Sequence, residues 1–569
     1  MTRNEGNAAG MNKETADRTG MKRKNASTTG VNRKPGSKTA MNRKAVNKIC
    51  VFCLAAVMLL CGFAKAPEYA AGNGRIKGTM YFGHEWQINF WTCEHAEAPE
   101  DFARLAEDGF NTVIFVVPWR AFQPYLQAGG FNEKMFAKLD ELMDEAAQAG
   151  LGVMLRVGYT WDMAEGDSAL NRFNALVSDK TARSAWISYA ARVYQSASAH
   201  PNFVGAFLTW EDFWNYLDQV ERYALENNYE QAKLSGFVNY VLSSYEPEEL
   251  EELYDNERDA KTAPFPRKYS PAYRLVLEWY DEFLNELLLD TQEVFPGLSM
   301  ECRLHNDPYQ DPDGRLLGYN HAATYGAGNA DYTSAMLSVD MGATAGTSAA
   351  SVAEQQAVLL SGMAAAAGKP VFVDQFIYDE DTPGYEDQPH ISDDINEYLR
   401  RMGSIFRNRT MGYSLWNVRD YADNVIYNPE FGLGLEGWSG HGGVSIEELD
   451  GNHMAKLAAG AGILQSMSQR AYLSDKPTRV RMRVIAEKDS MITVTVGGQS
   501  ESRKAEAGDH VLAIDFAQNT GGSVSITSAE EVLIDDIKVF SHITESGIYD
   551  LDGNPGPYMS GLHALNGAM

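Results

Sequence analysis

Cysteine is scarce in this 569-residue chain, and most of it is in one place. Cys50, Cys53 and Cys61 share an apolar stretch, so only Cys93 and Cys302 remain for the rest of the molecule. Those two form neither a CxxC pair nor a Cys/His cluster, which excludes a disulfide framework and a zinc site. The eleven histidines contain no HExxH, and no GKS/T phosphate loop appears. Metalloprotease and nucleotide-hydrolysing chemistry therefore have no foothold.

Positive charge is also in short supply: 49 Lys and Arg face 77 Asp and Glu, for a net charge of −28. Residues 1–48 hold twelve Lys or Arg against three Asp or Glu, a surplus of nine that leaves −37 on the remainder. An acidic body excludes nucleic acid or an anionic membrane as its main partner and fits a neutral ligand. The basic segment runs in loose decads rich in Asn, Lys, Thr and Gly without apolar periodicity, so it is expected to be disordered.

Long hydrophobic runs are lacking as well, with one exception, Ile49–Ala64. It is short for a membrane span but suits the apolar region of a signal peptide, with Lys44 and Lys48 before it and small residues at Ala64, Ala66, Ala70 and Ala71 after it. Residues 49–71 thus read as a signal peptide or, if uncut, a membrane anchor. The mature protein is expected to be secreted or held at the cell surface.

What is present is an alternation. From Gly78, strand-like runs (NTVIFVVPW, LGVMLRVGY, FVGAFLTW) alternate with amphipathic helices such as NEKMFAKLDELMDEAAQAG. Continuous β-branched runs suit strands buried on both faces, and the alternation over residues 78–425 predicts a (β/α)₈ barrel. HAATYG and SAMLSVDMG compete for strand six. From 426 to 542 the pattern changes to short alternating strands (RVRMRVIA, MITVTVGG, VLIDDIKVF), the pattern of an all-β jelly-roll sandwich. The tail 543–569 turns helical again and is expected to pack back on the barrel. DPDG and DLDGN are plain turns or calcium-loop fragments, which leaves room for a structural calcium in the sandwich; no other metal or cofactor is expected.

Barrels carry reactive side chains at the C-terminal ends of their strands. Those ends present Glu85 and Trp86, Trp119 and Arg120, Arg156 and Trp161, Trp210 and Glu211, Glu301, and then Asp374, Gln375 and Trp416. Seven of the ten tryptophans fall at or just past such ends, a bias that stacking on sugar faces would explain and core packing would not require. Tyr325, in HAATYG, adds a further ring. Glu211 ends a buried strand beside Trp210. An aromatic wall would raise its pKa toward that of a general acid; a rim ion pair with Arg156 or Arg120 is the bland alternative.

GAFLTWEDFWN, KPVFVDQF and GYSLWNVRDY give the chain a resemblance, over roughly residues 78–425, to the retaining (β/α)₈ glycoside hydrolases of the cellulase, mannanase and β-galactosidase clan. By position, the resemblance implies an acid/base at Glu211, the nucleophile position at Gln375 and a sugar-stacking ring at Trp416. Two departures stand out: Trp210 replaces the clan's Asn, and Gln375 cannot act as a nucleophile. Two carboxylates are normally required, so Glu301, Asp374, Asp379 and Glu85 are the candidates for a relocated second one, with Glu301 and Asp379 preferred. For Glu301, an internal pair with Arg303 is the competing reading. The sandwich resembles carbohydrate-binding jelly rolls through its NPEF…GW opening and its IDD-containing last strand. Together these imply an exported hydrolase of a β-linked poly- or oligosaccharide, or a glycan-binding protein derived from one, with Gln375, Trp86, Trp119, Arg120, Trp161, Trp210, Trp416 and Tyr325 lining its cleft.

Overall fold

The computed structural model describes residues 74–569 apart from 88, 159–168, 227, 269, 303–308, 311–315, 318–329, 340–347, 380–390, 392–393, 450, 468–476 and 518–521. The segments 1–48 and 49–71, and with them the signal or anchor, lie outside the described residues, as do Trp161, Arg303 and Tyr325. Among the described residues, no helix is long and apolar enough to cross a membrane.

Eight parallel strands close into a barrel: β1 (Ile76–Met80), β2 (Thr112–Val117), β3 (Gly152–Val157), β4 (Phe203–Leu208), β5 (Ser299–Cys302), β6 (Thr333–Ser338), β7 (Val371–Ile377) and β8 (Thr410–Leu415). β8 pairs with β1 to complete the ring. Gly412 makes that closure close-fitting, since an added Cβ would lie 2.3 Å from the Ile76 carbonyl oxygen. Every residue of β2, β3 and β7 is buried, as interior and helix-covered faces require. Strand six falls on TSAMLS; the competing HAATYG lies outside the described residues.

The helical ring comprises α1 (Ala98–Glu107), α2 (Glu133–Gln148), α3 (Lys180–Ala197), α4 (Trp210–Glu226), α5 (Tyr273–Gln292), α6 (Ala349–Ala367) and α7 (Ile395–Arg409). Local chemistry sets their ends. Asp394 caps α7 by accepting from the Asn396 amide at 2.8 Å, and Gly368 ends α6 at φ +63.

The chain leaves β8 without supplying an eighth helix. It first builds two five-stranded antiparallel sheets, whose buried apolar residues form a core separate from that of the barrel. Where the chain enters and leaves this sandwich, Tyr421–Ala422 and Ile543–Thr544 pair antiparallel. The returning segment then runs beside residues 417–420, with the Ile548 amide donating to Asn417 O and the Tyr549 amide to Val418 O. Gly547 permits the crossing, as a Cβ there would lie 2.2 Å from the Asp420 nitrogen. Last comes α8 (Met559–Ala568), which packs on α7. Its Asn566 accepts from the Tyr413 hydroxyl of β8 and donates to Asp108 O at the end of α1. Ile548, Tyr549, Leu562 and Leu565 belong to the barrel core. The sandwich is therefore an insertion between strand eight and helix eight, and the tail completes the barrel.

Candidate functional site

At the C-terminal ends of β3, β4, β5 and β7 the interior turns polar. Arg156 of β3 is fully buried. Its Nη2 donates to Thr209 Oγ1 at 2.6 Å and lies 3.8 Å from Glu301 Oε2, while its Nη1 donates to Gln375 Oε1 at 3.5 Å. The inward alternation expected for Glu301 is present, but the arginine it meets comes from β3. Glu301 is fully buried, with the Arg156 guanidinium as its charged neighbour.

Gln375 points into the barrel with its carbonyl turned to Arg156 and 7% of its surface open. Trp416 lies at the same level, 7% exposed, packed on Phe82 with ring centroids 5.4 Å apart. Trp86 is 8% exposed on the β1 loop. Arg120 is half-buried in the turn after β2. Trp210 and Glu211 open α4 directly after Thr209. Asp379, half-buried, accepts a hydrogen bond from the Tyr558 hydroxyl of the returning tail.

Trp119 does not line the cleft. It is fully buried, its Nε1 donates to Gln123 Oε1 at 2.7 Å, and its ring meets Trp186 edge-on at 5.1 Å. Facing outward beneath α3, it packs the layer between strands and helices.

A second polar cluster joins the barrel to the sandwich, and the sequence did not reveal it. His84 Nδ1 lies 3.2 Å from Glu97, and its Nε2 lies 3.1 Å from Glu430 and 3.6 Å from Asp536. Burial works against the imidazolium, but the hydrogen bonds to Asp536, Glu430 and Glu97 outweigh it and hold His84 well above its ordinary value. Lys538 Nζ sits 2.5 Å from Glu85 Oε1 and also contacts Asp536. The ligand atoms of His84, Glu85, Glu430 and Asp536 all lie within 4.8 Å of one another, a spacing that a divalent ion could bridge. The Lys538 ammonium contacts two of the four, Glu85 and Asp536.

Asp535 lies beside this seam, with Asn452 donating to its Oδ2 at 2.6 Å. Burial, and then the charge of Glu430, raises it from 3.8 to about 7. The folded state therefore holds a proton that the unfolded chain releases, and Asp535 withdraws stability as pH rises from 3.8 towards 7. Asp535→Asn is expected to stabilise the protein at pH 8 by about 2–4 kcal/mol, at about 1.4 kcal/mol per pKa unit, and to change little at pH 4. Urea midpoints at the two pH values test this; an equal shift at both would contradict it.

The architecture is a closed parallel eight-stranded barrel with a polar floor at its C-terminal end, followed by antiparallel sheets. No family model matches the chain, and no curated protein does. Among solved structures it is similar to an exo-beta-1,4-mannosidase of Opitutaceae bacterium strain TAV5, with 16% identity and a TM-score of 0.39 over 61% of this chain and 52% of that one. The match thus spans about half of that enzyme's length. A GH5_18 protein of Streptomyces cattleya, solved with Manb1-4GlcNAc, gives 16% identity and a TM-score of 0.40 over 61% and 72%. The TmCBM61 structure with beta-1,4-galactotriose gives 20% and 0.18 over 21% of this chain and 99% of its own.

Proposed function

We propose that the protein is an exported carbohydrate-active barrel that binds a β-linked oligo- or polysaccharide at its C-terminal mouth and hydrolyses it with Glu211 as general acid. The observation that carries the binding half is the buried Arg156–Gln375–Thr209–Glu301 group. A barrel interior is ordinarily filled by branched apolar side chains, and burying a guanidinium costs several kcal/mol unless it is paired. Here the pairing leaves the floor neutral overall and ends in an amide, a donor and acceptor suited to sugar hydroxyls. Trp416 and Trp86 supply flat apolar surface beside it. The catalytic half rests on Glu211, two residues beyond Thr209 in the first turn of α4.

A second reading, binding without cleavage, is favoured by one specific observation: an amide stands at the end of β7, and Glu301 is already paired. One experiment separates the two. The full chain is incubated with a polysaccharide panel, and ligand binding and reducing-end release are measured together. Release by the wild type should fall at least about 10²-fold in Glu211→Gln, the usual scale for losing a general acid, with binding retained. Near-wild-type release in Glu211→Gln would remove Glu211 from the mechanism, and binding with no release in the wild type would select the second reading.

A further inference from the structure

The last strand of the sandwich, Val532–Phe540, contains an irregularity with a consequence at the barrel. Its pairing with Thr478–Ala486 matches Arg481 to Lys538 and Arg483 to Asp535, so one extra residue is inserted between them. Asp536 takes φ +47 there, a left-handed conformation that Asp tolerates better than most residues. Such a bulge re-aims the side chains that follow it. Beyond it, Lys538 is 1% exposed and reaches the barrel carboxylate of Glu85, itself 2% exposed. The other oxygen of Glu85 accepts from Asn424 Nδ2 at 3.2 Å, and the Glu85 backbone bridges Ala422. The loop fixed in this way carries Phe82, packed on Trp416, and Trp86.

Meanwhile, the outward faces of the sandwich offer little for sugar stacking. Among its described residues no Phe, Tyr or Trp is exposed; Phe431, Trp438, Phe516 and Phe540 are all buried. Ion pairs such as Arg479–Asp515 and Arg483–Asp509 cover one sheet, and hydroxyl pairs such as Thr493–Ser502 cover the other.

We propose that Lys538, carried by the sandwich, is a positioning residue for the barrel mouth, so that the sandwich is a structural wall of the ligand cleft. Its ammonium neutralises Glu85 and thereby holds the Phe82–Trp86 loop against Trp416. This rests on the reading that the mouth binds a glycan, but one of its readouts needs no ligand.

The test uses the full chain with Lys538→Met. Backbone hydrogen exchange in residues 82–87 should accelerate at least about tenfold while the barrel strands stay protected, as local opening of a loop that has lost its buried ion pair predicts. For a bound oligosaccharide, Kd or KM should rise about tenfold with kcat changed less than about twofold, the pattern of lost binding rather than lost chemistry. Adding Glu85→Gln, which removes the stranded charge, should restore both readouts to within about threefold of wild type. Wild-type exchange in residues 82–87 of Lys538→Met would overturn the proposal, as would a double variant no better than the single. If the wild type binds no glycan, the functional reading fails, and exchange alone decides the role of Lys538. If Lys538→Met does not fold, Glu85→Gln alone carries the exchange test with the same expected direction.

Discussion

A chain ending at residue 545 is expected not to fold cooperatively. It lacks Ile548, Tyr549, Leu562 and Leu565, all buried in the barrel core, and leaves the Tyr413 hydroxyl of β8 without Asn566. At about 2 kcal/mol or more for each buried large side chain, the loss is about 8–10 kcal/mol, as large as the whole stability of a typical domain. It also uncovers the outer faces of β8 and β1. Far-UV circular dichroism melts of the two chains test this. A sigmoidal melt of the shortened chain at the full-length midpoint would show that α8 is dispensable.

The second large effect is expected at Arg156. Arg156→Met removes the cation from a fully buried carboxylate, Glu301, and from the carbonyl of Gln375. Breaking a buried pair from one side costs about 3–5 kcal/mol, whereas replacing both partners with apolar groups is often neutral or better. Arg156→Met should therefore lower stability by that amount, and Arg156→Met/Glu301→Leu should recover most of it. Urea denaturation measures both. If the single variant stays within about 0.5 kcal/mol of wild type, which is the range of ordinary surface changes, the pair is not the electrostatic centre of the floor.

The barrel was readable in the chain because strands covered on both faces leave continuous apolar runs, and helices between them leave a 3.6-residue period. The period of two also placed Glu301 inward. It did not name the partner, because a barrel interior brings β3 and β5 together across β4, and sequence spacing holds no record of that. Tryptophan position along a strand was legible, but the side it faces was not. Trp86 and Trp416 sit at the mouth, while Trp119, equally placed at a strand end, turns outward beneath α3. Lys538 was hidden for a different reason. In VLIDDIKVF a bulge breaks the alternation, and only the pairing register reveals it. The helical tail and its return to the barrel were legible, but its place as the cover of β8 was not, since the whole sandwich separates the two.

That separation has a temporal side. A ribosome releases the sandwich as one contiguous stretch, its ends already adjacent through the Tyr421–Ala422 and Ile543–Thr544 ladder, before the last covering helix of the barrel exists. Domains form as their residues emerge. The later module in sequence is therefore the earlier one to be complete, and the barrel waits for the helix Met559–Ala568 before its ring of helices can close.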